Sequence, residues 1–240
     1  MRIPVISGLI DRRILVNYKV DPDVLQKLLP QRFRPKIVDN VGIAGICLIR
    51  LKHIRPSGFP GAVGVSSENA AHRIAIEWDE DGQSRQGVYI PRRDTSSRLN
   101  TLLGGRVFPV IQHHASFDVN EHHNRYRIII DSDDGETHVA VEAELASSLP
   151  AASVFGSIEA ASAFFEHGAV GYSPVDSREL HGLELRSFNW KVEPLAVTRV
   201  ESSFFGDQRV FPPGTVEFDC ALLMRGIAHE WHAQQSFQVA

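Results

Sequence analysis

The strongest constraint on this chain is a long series of short apolar segments of period two, interrupted by only a few stretches of helical period. Ile14, Val16 and Tyr18 share one face of a segment running from Arg12 to Val20, which is the pattern of a strand. Ile74, Ile76 and Trp78 repeat the pattern over Arg73–Trp78, and Gly87–Pro91 returns after the turn Asp79–Gly82 as a hairpin partner. Gly42–Ile54 is a long, mostly apolar run rich in Ile and Leu, as expected of a strand buried on both faces. Further strands are expected at 115–119, 125–131, 136–145, 183–188, 196–205 and 216–225. Three short helices lie between them. The first opens at Asp21-Pro22, carries Leu25, Leu28 and Leu29, and stops at Pro30. The second is capped by Asp94, carries Leu99, Leu102 and Leu103, and stops at Gly104-Gly105; the third runs from Ser157 to Glu166.

Strands and helices do not alternate regularly, which argues against a doubly wound parallel sheet. The expectation is an α+β fold: a mostly antiparallel β barrel or cone of about ten strands with short flanking helices. At 240 residues the chain is expected to form one domain spanning 1–240, since it has no repeat and no linker. Its net charge is −4 and its basic residues are spread along the chain, so nucleic acid is not an expected partner. No apolar run approaches the ~18 residues of a membrane span. The N-terminal apolar stretch is too short for a signal peptide, and a soluble cytoplasmic protein with no membrane partner is expected. Cys47 and Cys220 lie in apolar runs and read as buried thiols.

The basic residues are lopsided, with 20 Arg against five Lys (Lys19, Lys27, Lys36, Lys52 and Lys191). Among 11 histidines, the pairs His113-His114 and His122-His123 would point to opposite faces of a strand and could not chelate one ion together. His122-His123 lies in a polar stretch that reads as an exposed turn. His229 and His232 are one residue short of the HExxH zinc spacing, although on a helix they could share a metal. There is no Gly-x-Ser-x-Gly elbow, and no glycine-rich turn opens a helix to cradle phosphate. No cofactor is therefore expected.

The most informative stretch runs from Gln86-Gly-Val-Tyr-Ile-Pro-Arg-Arg-Asp-Thr95 through Gly104-Gly-Arg-Val-Phe-Pro109 to Val110-Ile-Gln-His-His-Ala115. Together with Arg13–Pro30 and its Leu-Leu-Pro ending, it resembles the acetoacetate decarboxylase-like superfamily, well over residues 11–145 and loosely beyond. It is similar to an uncharacterised branch that keeps the scaffold and loses the decarboxylase signature. In the decarboxylases the Phe-Pro element precedes two lysines, one of which forms a Schiff base with the substrate ketone. Here Val110 and Ile111 hold those positions. An alkyl side chain cannot form an imine, so the resemblance argues against classical decarboxylation unless Lys52 or Lys191 reaches the cavity.

The resemblance implies that Glu68, on the loop before the hairpin, could act as general acid or base if burial raises its pKa. It implies that Arg106 and Arg12 could hold a carboxylate, and that Phe108, Pro109 and Trp190 belong to core or pocket wall. One of His113 and His114 would face the barrel interior, and His113 is taken as the second candidate catalytic group. Arg106 has the alternative role of binding carbonyls at a helix C-terminus. The first functional reading is an enzyme acting on a small carbonyl- or carboxylate-bearing metabolite without a Schiff base. The alternative is a non-catalytic binding protein on the same scaffold, and a weaker third is a histidine-metal enzyme. The expected partners are a small carboxylate or ketone and a second copy of the chain, as a homodimer or larger oligomer.

Overall fold

The structure, a computed structural model, describes all residues except 1–3, 61, 63, 99, 100, 102–110, 177, 239 and 240. Its elements are β1 (Ile6–Val20), α1 (Pro22–Leu28), β2 (Arg34–Pro35), β3 (Ile37–Val38), β4 (Val41–Pro56), β5 (Val65–Glu80) and β6 (Gln83–Thr95). They continue with β7 (His113–His122), β8 (Arg125–Ser132), β9 (His138–Leu145), α2 (Ile158–Glu166), β10 (Val170–Pro174), β11 (Glu179–Ser187), β12 (Glu193–Ser202) and β13 (Val216–Gln238). The helix signals hold locally. Asp21 accepts a hydrogen bond from the Asp23 amide at 2.8 Å, and Ser157 accepts one from the Ala160 amide at 3.1 Å.

Among the described residues, the thirteen strands belong to one mostly antiparallel sheet, in which the parallel pairings are β10 to β6 and β6 to β7. Its pairings close two rings. One runs β5-β6-β7-β8-β9-β12-β13-β1-β4 and returns to β5; the other runs β6-β10-β11-β13-β1-β4-β5 and returns to β6. The five strands β13, β1, β4, β5 and β6 are common to both. A shared strand has one face in each ring, so both of its faces must be apolar or functional. This explains the uninterrupted hydrophobicity of Gly42–Ile49. Ile14, Val16, Ile46, Leu48, Ile74 and Leu223 enter the core of the first ring. Ile10, Leu15, Cys47, Ala75, Leu222 and Met224 belong to a second core, which Phe155, Ala161 and Phe165 on and before α2 complete. Gly45 is required where β4 meets β1, because a Cβ there would lie 2.2 Å from the Val16 carbonyl oxygen.

Two local expectations are corrected. Asp94 does not cap a helix; it is the penultimate residue of β6, its side chain wholly buried against Arg92 at 2.9 Å. The body of the helix expected after it, with Leu99, Leu102 and Leu103, lies outside the described residues. The segment holding His229 and His232 is part of the 23-residue strand β13, where residues three apart face opposite sides. The reading of a helical histidine pair sharing one metal therefore does not apply.

Candidate anion-binding cavity

The second ring is not filled. Between α2, the β10–β11 hairpin and the inner faces of β1, β4, β5 and β6 lies a cavity of about 310 Å³. Its residues on β5 (Val65, Ser67, Asn69, Ala71, Arg73 and Ala75), Ala70 apart, follow strand parity. Small side chains there, with Gly87 and Gly171 opposite, leave the space open.

Five cations line this space: Arg13, Lys36, Arg73 and Arg93, grouped together, and Arg55 on β4, which donates to the Phe59 and His53 carbonyls at 2.7 Å. Arg73 donates to Asn17 Oδ1, and its guanidinium lies 4.7 Å from the centroid of the Phe165 ring. Its Nε is buried with no hydrogen-bond partner. Arg93 donates through Nε to Ser173 Oγ at 3.0 Å, and Arg13 through Nε to Cys47 Sγ at 3.2 Å. Lys36 donates to Gln86 Oε1 and sits 4.1 Å from the centroid of the Phe164 ring.

Among the described residues no carboxylate pairs with any of the four grouped cations. The one acid in the wall, Asp94, is committed to Arg92, itself held by Asp134 and Glu136. Burial pushes Arg73 and Arg93 down to about 10, so both remain charged at neutral pH. Burial also lowers Lys36, against a weaker opposing effect of Glu77. Buried cations without counter-ions are costly to maintain. Arranged around an open cavity, they form a receptor for an anion, and a guanidinium can hold a carboxylate through two parallel hydrogen bonds.

The residues singled out from sequence fall mostly elsewhere. Glu68 alternates with Ser67 and Asn69 and faces away from the cavity. There it pairs with Arg12 and Arg50, while Glu121 pairs with Arg50 at 2.9 Å and Arg12 at 3.4 Å. The structure thus brings Arg12 and Glu68 together, but as an ion cluster on the first-ring face. The cavity arginine of β1 is the next residue, Arg13. His113 is not in the cavity wall; it is 38% exposed and pairs with Asp134 at 3.0 Å, and its neighbour Gln112 lines the cavity. Trp190 donates to Ser162 Oγ at 2.9 Å and packs on the second core, whereas Trp231 lines the cavity. Arg106, Phe108 and Pro109 lie outside the described residues. Of the lysines, Lys52 pairs with Asp11 at 2.9 Å, and it is Lys36 that reaches the cavity.

The architecture matches known proteins over nearly its whole length. Acetoacetate decarboxylase from Legionella pneumophila superposes with a TM-score of 0.62 at 11% identity, covering 99% of this chain and 87% of that one. An acetoacetate decarboxylase-like enzyme from Sphingomonas wittichii RW1 gives 0.59 at 13% identity, covering 99% and 94%. The enduracididine biosynthesis enzyme MppR, in complex with pyruvate, gives 0.58 at 12% identity, covering 100% and 91%. At such identities the likeness establishes an acetoacetate decarboxylase-like fold. Residues 10–221 match the DUF2071 family model, described as an uncharacterized conserved protein, and this chain belongs to that family. No curated protein matches it in sequence.

Proposed function

We propose that this protein is an enzyme that binds a carboxylate-bearing metabolite in the second-ring cavity and transfers a proton to or from it without forming a Schiff base. The observation that carries the reading is the set Arg13, Arg73 and Arg93, lining a cavity with no carboxylate of their own. In this reading the arginines hold the ligand anion, joined by Arg106 where the Gly-Gly-Arg motif implies it, with Phe108 and Pro109 as wall residues. Lys36 is the proton-transfer group, because a partly desolvated ammonium beside a bound anion can act as general acid. Its two neighbours, the Gln86 carbonyl oxygen and the Phe164 ring face, both interact with the cationic form. Those contacts oppose the burial that lowers Lys36 and support proton donation as its role in this reading.

A second reading, non-catalytic ligand binding, is favoured by the position of Glu68 and His113 outside the cavity wall. One experiment separates the two. A thermal-shift screen of 2-oxo, 3-oxo and unsaturated carboxylic acids identifies a binder, which is then assayed for turnover with wild type and Lys36→Met. Turnover lost in Lys36→Met with binding retained supports the enzyme; tight binding without turnover in wild type supports the binding protein. Borohydride added with a 2-oxo acid should leave the chain unmodified by mass spectrometry. A reduced adduct on Lys36 would contradict the absence of a Schiff base.

A further inference from the structure

We infer that the ligand of this cavity is an elongated amphipathic monocarboxylate, with its acidic head among the arginines and an apolar tail directed toward the opposite end. The inference rests on the anion-binding reading and adds the shape and polarity of the rest of the molecule. Strand register orders the cavity wall along its length. Lys36 hydrogen-bonds through its amide to the Ala75 carbonyl, Arg93 pairs with Ala71, and Arg13 pairs with Ile49, which faces Asn69. These four cations therefore lie between the levels of residues 75 and 69 on β5, and the fifth, Arg55, follows Ile54 at the other end.

Beyond Asn69 the wall changes character. Leu51 pairs with Ser67, Ile54 with Val65, and Trp231 with both Ile6 and Leu185. These residues form an apolar collar of the same cavity. Exposure rises in that direction, from 4% at Arg73 to 42% at Val65, so the collar is the solvent end and the four grouped cations are the closed end. Arg73 and Val65 are eight residues apart on one strand, about 25 Å at the usual rise of an extended chain. A two- or three-carbon acid bound at the arginines would leave the collar unoccupied. Apolar wall of this extent gains free energy only from an apolar ligand segment. The one cation at the collar, Arg55, already donates to the Phe59 and His53 carbonyls at 2.7 Å, so a second acidic group on the tail would compete with those bonds.

The test is isothermal titration of acetate, butyrate, hexanoate, octanoate and succinate, each below its micellar concentration, with octanamide as the uncharged control. Wild type, Arg93→Met, Leu51→Gln and Ile54→Gln are compared. The expected result is an affinity that rises about fourfold per added methylene from butyrate to octanoate, with succinate weaker than hexanoate. Arg93→Met should weaken every monoacid, and at least one collar variant should weaken octanoate while sparing butyrate. Affinity independent of chain length, or highest for succinate, with Arg93→Met still harmful, overturns the amphipathic ligand and leaves the anion site standing. Octanamide binding as tightly as octanoate, or no acid binding at all, overturns the anion site itself and the inference with it.

Discussion

The guanidinium of Arg73 lies 4.7 Å from the centroid of the Phe165 ring, so α2 covers the closed end of the cavity with an aromatic face where an acid would ordinarily sit. An aromatic face stabilises a cation by a kcal/mol or so, much less than burial costs it. The unliganded protein therefore holds charge that a bound anion would neutralise. Arg73→Met should raise the stability of the unliganded protein by about 1 kcal/mol or more, which at this size is a rise of about 2–4 °C in Tm. The same variant should weaken carboxylate binding about tenfold or more. Thermal melts with and without ligand check both; a variant that is less stable and binds normally would show that the arginine serves the fold alone.

Glu68 is predicted to support the fold and leave ligand binding untouched. It neutralises Arg12, whose side chain is almost completely buried, and Arg50. Removing the acid leaves those charges short of a partner, so Glu68→Gln should destabilise by about 3 kcal/mol in denaturant unfolding. Carboxylate affinity, measured on the fraction still folded, should stay within twofold of wild type. A large loss of affinity would return Glu68 to the site.

How far the sequence leads is clear from these residues. The double-faced run of β4, the caps of α1 and α2 and the mixture of strands with short helices all follow from local pattern, and so does the class of fold. Two expected site residues sit one position from the cavity wall: Arg12 beside Arg13, and Glu68 between Ser67 and Asn69. Alternation in a strand makes such a shift a change of face. In a sheet closed into two rings, both faces look equally buried from sequence. Lys36 was hidden for another reason. It sits between two-residue strands, and only the pairing of β2 with β5 brings it to the cavity. One signal was available: Arg73 shares parity with Ala71 and Ala75, a charged residue among small ones on a buried strand.

Stability should fall as pH drops from about 6.5 to about 4. Burial pushes His72 and His229 down to about 4 from 6.5, and neither ring nitrogen of His72 has a hydrogen-bond partner. Because their folded pKa values lie below the unfolded ones, the unfolded chain takes up protons first. Their contribution is complete above pH 6.5, is lost as pH falls to about 4, and changes no further below that. Each shift corresponds to about 3 kcal/mol. Urea unfolding across this range checks it, and His72→Phe should remove roughly half of the slope. An unchanged slope would mean that His72 titrates normally.

The two thiols should differ in reactivity. Cys47 lines the cavity beside Arg13, whereas Cys220 is fully enclosed, its thiol pushed up to about 12 by burial with the Asp219 carboxylate adding to the shift. Native-state alkylation with iodoacetate followed by peptide mass spectrometry should label Cys47 first, and octanoate should slow that labelling. Labelling of Cys220 at an equal rate would place the accessible cavity elsewhere.

The central claim is that the cavity recognises negative charge. Its most direct test is calorimetric titration of the folded wild-type protein with octanoate and with octanamide, which match in shape and differ in charge. The account predicts that octanoate binds at least tenfold more tightly and that Arg93→Met removes the difference. Equal affinity for the acid and the amide in wild type would contradict it.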